Sequence, residues 1–362
     1  MNSFGRMFRV EIYGESHGPE VGILLDGVPA GIALCEADFA ADLARRRPGE
    51  KGTTTRCEAD LPIIRSGVYQ GHTTGAPILI GFSNGNVRSE DYEAFGTVPR
   101  PGHADMTRSV KFGALDDPRG GGTSSGRLTV ALVAAGVVAK KILPKWSFAA
   151  RLVEVGGIPV DLGGLPVDVG GLPVEVGGES ADLPSWKANL EKVMAEGDSL
   201  GGVVECVVKA EDGASLGLGE PFFDSVESVI SHLIFSIPGV RGIEFGDGFA
   251  AARMKGSEHN DVYASAPESD QGKVDSRIPV TNGAGGVNGG IANGNPIVFR
   301  VAFKPTSTIG KEQKTHDFAD KVDILLKGRG RHDACFALRT PVIVEACAAM
   351  AFADFWLISS EL

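Results

Sequence analysis

The sequence predicts a globular chain of mixed strands and helices, on three observations. Phe8-Arg9-Val10-Glu11-Ile12 alternates apolar and polar residues, the period of a strand, and Val21 to Leu25 predicts a second strand closed by a turn at Asp26-Gly27. Arg127 to Leu143 and Pro341 to about Leu357 are strongly apolar, as helices inside a large core are. The 50 glycines concentrate in the connections, where they permit tight turns and close backbone approach.

Taken in order, the strand signals are followed by a helix over Glu36 to Arg47. Phe39 and Leu43 lie four apart on one face, and Pro48-Gly49 stops it. The helix over Arg127 to Leu143 ends with Lys140 and Lys141. Asp224-Ser225-Val226-Glu227 resembles a capping box, and the spacing Val226, Val229, Ile230, Leu233 continues it as an amphipathic helix. The final apolar run is interrupted by Glu345 and Asp354, and Leu128 to Ala139 is too short to span a bilayer. Both predict buried helices, and no membrane partner. Gly156 to Gly178 repeats a Gly-Gly-Ile/Leu-Pro-Val-Asp/Glu-Leu/Val unit three times. Its Gly-Gly and Pro exclude a coiled coil and predict short extended pieces joined by turns on the surface. Length alone permits one domain or two. No linker clearly separates two, so residues 1–362 are expected to form one domain with an excursion at 156–178.

The composition is 43% hydrophobic and 22% charged, ordinary for a globular protein. A formal net charge of -11 argues against nucleic-acid binding, which needs a basic face. It leaves room for a small anionic substrate, because clustered arginines can dominate the field of a cleft. Cys35, Cys57, Cys206, Cys335 and Cys347 lie far apart with no Cys-x-x-Cys pair, so no metal is expected and free thiols in a reducing compartment are. The first ten residues carry Arg6 and Arg9 but no long apolar core. The cytoplasm is the expected location.

Six segments carry chemistry. Gly14-Glu15-Ser16-His17-Gly18 follows the first strand and presents a serine and an imidazole that can exchange a proton near neutral pH. It also matches Gly-x-Ser-x-Gly, but a nucleophile elbow needs a helix directly after the serine, and Pro19-Glu20-Val21-Gly22 leads into a strand instead. Arg45-Arg46-Arg47-Pro48-Gly49 followed by Thr53-Thr54-Thr55-Arg56 reads as an anion site or as charges offsetting a helix dipole. In Arg100-Pro101-Gly102-His103-Ala104-Asp105 a Pro-Gly turn presents His103, which Asp105 could orient unless it merely caps the next segment. Arg119-Gly120-Gly121-Gly122-Thr123-Ser124-Ser125-Gly126-Arg127 offers bare N–H groups and hydroxyls ahead of a helix, a phosphate cradle or a flexible connector. Asn282 to Gly290 and Lys304-Pro305-Thr306-Ser307-Thr308 repeat the pairing of bare backbone with a cation and hydroxyls. In Arg329-Gly330-Arg331-His332-Asp333, the carboxylate could carry a proton or pair with an arginine. The residues thus point to a site for multiply anionic small molecules without naming a reaction.

In order and over nearly the whole chain, these segments resemble the chorismate synthase family. The matching pieces are Gly-Glu-Ser-His-Gly at 14–18, Arg-Arg-Arg-Pro-Gly at 45–49, Ser-Gly-Val at 66–68, Arg-Pro-Gly-His-Ala-Asp at 100–105 and Arg-Gly-Gly-Gly at 119–122. Gly-Leu-Gly-Glu-Pro at 217–221, Gly-Asp-Gly-Phe at 246–249, Lys-Pro-Thr-Ser at 304–307 and Gly-Arg-His-Asp at 330–333 complete them. Each piece is weak alone; their common order is specific.

The resemblance implies a single α+β domain, with helices sandwiched between antiparallel sheets, assembled as a homotetramer. It implies reduced FMN and a 1,4-anti elimination of phosphate from 5-enolpyruvylshikimate 3-phosphate to give chorismate, in the shikimate pathway. By the same resemblance His17 protonates the departing phosphate, His103 protonates the reduced flavin, and Asp333 assists the base, with Ser16 and Ser125 as relays. Thr123, Ser124, Ser125, Pro238, Gly239, Gly289, Lys304, Pro305, Thr306, Ser307, Thr308 and Arg331 match flavin-contact positions. Arg46, Arg100, Arg127 and Arg331 match the arginines that hold the substrate's anionic groups. Thr123 stands where the family often has arginine, Ala334 follows Asp333 in place of proline, and Lys51 is the one cation after Pro48-Gly49. NADPH or an external flavin reductase would supply the electrons; no reductase domain is recognised in the sequence, which favours the external source.

Overall fold

The computed structural model describes residues 2–49, 51–55, 59–85, 97–113, 115, 117–160, 185–263, 277–328 and 332–360. Two five-stranded sheets enclose a layer of helices. The first sheet has the order β1 (Ser3–Phe4), β2 (Arg9–Gly14), β3 (Glu20–Asp26), β7 (Ile78–Ser83), β4 (Ile63–Ile64), all antiparallel. Its register sets Val21 opposite Phe82, Ile23 opposite Ile80 and Leu25 opposite Ile78. That row is fully buried, and it is the face the alternation in sequence predicts.

The second sheet has the order β11 (Val240–Phe245), β14 (Ile297–Phe303), β10 (Gly202–Ala210), β8 (Trp146–Val155), β9 (Ile158–Pro159). Val204, Cys206 and Val208 pair with Val301, Phe299 and Ile297 on its buried face. Its other face carries Arg151, Glu205, Arg300 and Glu244 in one cross-strand row, joined by ion pairs of 2.6 Å, 3.1 Å and 3.3 Å.

Helix α3 (Thr129–Ile142) packs on the first sheet and α7 (Pro341–Ser359) on the second, and the two pack on each other. At Gly136 their backbones come close enough that a Cβ would lie 2.5 Å from Ala346 Cα, so no side chain fits. Residues 129–139 and 342–355 are all buried, as their apolar composition predicts. Helices α1 (Ala40–Arg46) and α5 (Val226–Ile234) flank α7. Three short helices, α2 (Asp105–Phe112), α4 (Trp186–Ala195) and α6 (Gly256–His259), lie outside this layer. So do the hairpins β5–β6 (Val68–Tyr69, His72–Thr73), β12–β13 (Val287–Asn288, Ile291–Ala292) and β15–β16 (Glu312–Asp317, Val322–Lys327). The expected α+β sandwich is therefore the observed one.

Two local expectations change. The cap of α5 is Ser225, whose Oγ accepts from Ser228 N at 3.1 Å; Asp224 pairs with Arg6 instead, so the capping signal is offset by one residue. Of the Gly-Gly-Pro repeat only 156–160 is described: Gly156-Gly157 turns β8 back into β9, and the rest lies outside the described residues. Cys35, Cys206, Cys335 and Cys347 are free thiols.

Candidate active site

The end of α1, the turn at 100–107, the glycine-rich turn at 120–127, the 235–241 segment entering β11, the loop 304–308 and the segment 332–339 before α7 converge on one cleft of about 820 Å³. That volume lies within the range of small-molecule and cofactor sites. Arg46, Arg100, Arg127, Arg241, Lys304 and Arg339 line it, against the carboxylates Asp60 and Asp333. A chain of net charge -11 thus concentrates positive charge in one concavity.

The three arginines ending α1 go to three different places. Arg45 reaches into the helical layer and pairs with Glu345 through both oxygens, at 2.6 Å and 2.7 Å. Arg47 donates to the Ala59 carbonyl. Only Arg46 enters the cleft floor, where its Nη2 lies 2.8 Å from Asp60 Oδ2. Burial, with Arg339 and Arg127 nearby, lowers its pKa to about 10 although Asp60 opposes this. Arg127 binds the other Asp60 oxygen, and Asn84 Oδ1 accepts from its Nε at 3.0 Å. Burial raises the pKa of Asp60, but the two arginines outweigh it and keep the carboxylate below its usual range.

The Pro101-Gly102 turn places His103 on the cleft wall with Asp105 behind it. His103 Nδ1 lies 2.6 Å from Asp105 Oδ1 and 3.0 Å from Arg100 Nη2. A guanidinium only donates, and Arg100 already gives Nη2 to Asp105 at 2.8 Å and Nε to its other oxygen at 2.8 Å. The carboxylate therefore takes the Nδ1 proton, and Nε2 carries the lone pair. That nitrogen faces the glycine-rich turn, where a Cβ on Gly121 would lie 3.7 Å away. Burial, then Arg100 and Arg108, lower the His103 pKa against the pull of Asp105.

A stability dependence follows. Below about pH 6.5 the unfolded imidazole takes up a proton before the folded one does, so stability falls as pH drops through that window and is retained above it. Urea unfolding between pH 7.5 and 5 is expected to show a steeper loss in the native sequence than in His103→Gln. Parallel curves would show that the site does not depress this histidine.

Gly120, Gly121 and Gly122 have φ of +60°, +87° and +53°, the left-handed region open to glycine. Arg108, buried on α2, donates to the Gly121 carbonyl and pins the turn. Ser125 caps the next turn, accepting from Arg127 N at 3.3 Å, and the chain continues into α3. His17 is buried directly behind Gly120 and is not among the lining residues; a Cβ on Gly120 would overlap its ring. Ser16 N donates to the Gly122 carbonyl at 3.3 Å.

On the opposite side Asp333 accepts from Thr54 N at 2.9 Å and from Arg339 Nε and Nη2 at 3.0 Å and 2.9 Å. Of the two sequence alternatives, pairing with an arginine is what the structure displays. Arg339 also stacks on Phe336, with its Cζ 4.8 Å from the ring centroid. Lys304 Nζ bonds the Gly102 carbonyl at 3.1 Å, tying the 304–308 loop to the His103 turn. Burial, then Arg241, lower its pKa.

Among the sequence candidates, His103, Asp333, Arg46, Arg100, Arg127, Thr123, Ser124, Ser125, Pro238, Gly239 and Lys304 to Thr308 all line the cleft. Gly289 does not; it is exposed at the tip of the β12–β13 hairpin. Arg331 lies outside the described residues. Lys51 is not a lining residue and pairs with Glu191 on α4 at 2.6 Å. Sequence reasoning missed Asp60, Arg108, Arg241 and Arg339. Only Arg339 had a usable signal, a cation six residues after Asp333 and directly before the Thr340-Pro341 helix start.

A family model described as chorismate synthase matches residues 8–357. The chain is 55% identical to the chorismate synthase of Chitinophaga pinensis, over all of this chain and 98% of that one. It is 43% identical to that of Methanosarcina mazei, over 98% of this chain and 96% of that one. A crystal structure of a chorismate synthase superposes with a TM-score of 0.71 at 26% identity, covering 98% of this chain and 93% of that one.

Proposed function

The chain belongs to the chorismate synthase family, whose members are lyases, and we propose that its cleft performs the 1,4-anti elimination of phosphate from 5-enolpyruvylshikimate 3-phosphate with reduced FMN. The observation that carries this reading is the excess of arginine over carboxylate in a cleft of cofactor size. Arg46, Arg100 and Arg127 bind the substrate's phosphate and carboxylates through paired N–H groups. Negative charge grows on the leaving phosphate, and fixed cations aimed at it lower the barrier.

The residues present fit a flavin. Thr306 Oγ1 is buried with no hydrogen-bond partner among the described residues, and a Cβ on Gly239 would stand at 3.8 Å from Phe336, leaving bare backbone along that wall. Thr123 to Ser125 face it with hydroxyls and N–H groups, while Lys304 supplies the cation that Thr123 does not. Reduced flavin, when bound, supplies an electron to the substrate transiently and regains it, so no net oxidation occurs. His103 exchanges a proton at Nε2; its lowered pKa makes the protonated ring a strong donor. His17 protonates the departing phosphate from behind Gly120; Ser16 and Ser125 are relays for the base that Asp333 assists. Asp333 assists the base from its pairing with Arg339, which keeps the carboxylate fixed. The reading includes a cytoplasmic homotetramer, with Arg331 completing the flavin contacts and Gly289 lying outside this cleft. NADPH or an external reductase provides the electrons.

Anaerobic turnover of 5-enolpyruvylshikimate 3-phosphate with chemically reduced FMN, followed by chorismate absorbance and phosphate release, tests this. Turnover that collapses in His103→Ala is expected. Absence of turnover by folded protein with reduced flavin would sink the reading.

A further inference from the structure

Asp60 belongs to none of the flavin, substrate or proton-transfer groups, yet it lies in the cleft floor with 2% of its surface exposed. Its φ is +48°, a left-handed conformation that residues other than glycine adopt at a cost. One oxygen takes Arg46 Nη2 at 2.8 Å and the other takes Arg127 Nη1. The side chains of all three are 4% exposed or less. The arginines' other contacts are neutral: Arg46 Nη1 to Thr129 Oγ1 at 3.2 Å, Arg127 Nε to Asn84 Oδ1 at 3.0 Å and Arg127 Nη2 to the Ser83 carbonyl at 3.4 Å. Arg46 Nε is buried with no hydrogen-bond partner among the described residues.

A carboxylate in the floor of an anion site opposes the ligand directly, so its presence calls for a reason. Two buried guanidiniums side by side repel each other and lack a fixed mutual orientation; a carboxylate shared between them removes both problems. We infer that Asp60 is a positioning residue, an internal counter-charge that holds Arg46 and Arg127 as one oriented pair and leaves their remaining N–H groups to the anionic group of the substrate. The inference rests on the reading of the cleft as a substrate anion site.

The test is calorimetric binding of 5-enolpyruvylshikimate 3-phosphate to the full chain, with inorganic phosphate as a second probe. If Asp60 only opposed the ligand, Asp60→Asn would tighten binding. Positioning predicts weakening of at least tenfold. The same Asp60→Asn change made in Arg127→Lys should cost less than a further threefold, because the pair it orients is already broken. In turnover the loss falls on KM, with kcat changed less than threefold. Should Asp60→Asn melt before it can be measured, Asp60→Glu keeps the charge and shifts the carboxylate by one methylene. Positioning then predicts weakened binding, and native binding overturns it. Tighter or unchanged binding in Asp60→Asn, additive losses with Arg127→Lys, or a loss confined to kcat also overturns it. A native chain that binds phosphate but not the enolpyruvyl substrate would remove the functional reading, while the phosphate arm still decides the role of Asp60.

Discussion

Gly120→Ala is expected to lower kcat at least a hundredfold, and Gly121→Ala much less. The two glycines sit side by side in one turn at φ +60° and +87°. Each substitution therefore carries a similar backbone penalty, about 1–2 kcal/mol for a left-handed alanine. They differ in what the new methyl meets. At Gly120 it overlaps the His17 ring and comes within 2.8 Å of Ser16 Oγ. At Gly121 it meets His103 Cε1 at 3.6 Å, an ordinary van der Waals contact. His17 is 7% exposed and cannot yield without disturbing the segment between β2 and β3. A misplacement of about 1 Å in a reacting group is enough for a hundredfold loss. Steady-state kinetics of both variants, with melting temperatures to confirm equal folding, measure the difference. Equal kcat values would show that His17 takes no part in the chemistry, whatever the motif around it suggests.

The helical layer was legible because its signal is local. A stretch such as Val130 to Ala139 has no polar face to turn to water, so burial on all sides follows from composition. The β2 and β3 strands were legible for the matching reason, a period of two with one apolar side. The second sheet was not read strand by strand. Its β8, Trp146–Val155, carries Arg151 and Glu154 among apolar residues, and the carboxylate that pairs with Arg151, Glu205, lies far along the chain on β10, shared there with Arg300 of β14. The same distance hid parts of the site. Asp60 follows a Glu-Ala pair in an unremarkable loop, and nothing local shows that it bridges Arg46 to Arg127, 67 residues away. The arginine triplet was legible as a cation cluster, but the division of labour among Arg45, Arg46 and Arg47 depends on Glu345, Asp60 and Ala59, which only the fold brings near. The glycine-rich turn was readable as a cradle. That it shields His17 from the cleft was not, since a glycine motif says where the backbone can go and not what lies behind it.

The two charges interrupting the last apolar helix lead to the second large effect. Asp354→Ala is expected to cost about 3–5 kcal/mol of stability, a large share of the roughly 5–15 kcal/mol available to a folded protein. Asp354 is 4% exposed near the end of α7, and its Oδ1 accepts three successive backbone N–H groups, from Arg6 at 3.0 Å, Met7 at 2.7 Å and Phe8 at 2.8 Å. Its Oδ2 reaches Arg6 N at 3.1 Å. Alanine would leave those donors unpaired beside Phe8, which is fully buried. Asparagine can present its one carbonyl oxygen where Oδ1 now lies, so it should keep those three contacts and lose their ionic strengthening and the Oδ2 contact to Arg6 N, about 1–2 kcal/mol. Urea unfolding at pH 7 would separate the three sequences: native above asparagine above alanine. The consequence reaches the site, because the tethered segment runs straight into β2 and from there into Gly14 to Gly18. Loosening it should raise backbone hydrogen exchange through β2 as far as His17 while α3 stays protected. An alanine variant that unfolds within 1 kcal/mol of the native chain would mean that water replaces the carboxylate at little cost, and that the amino-terminal strand is held by its sheet contacts alone.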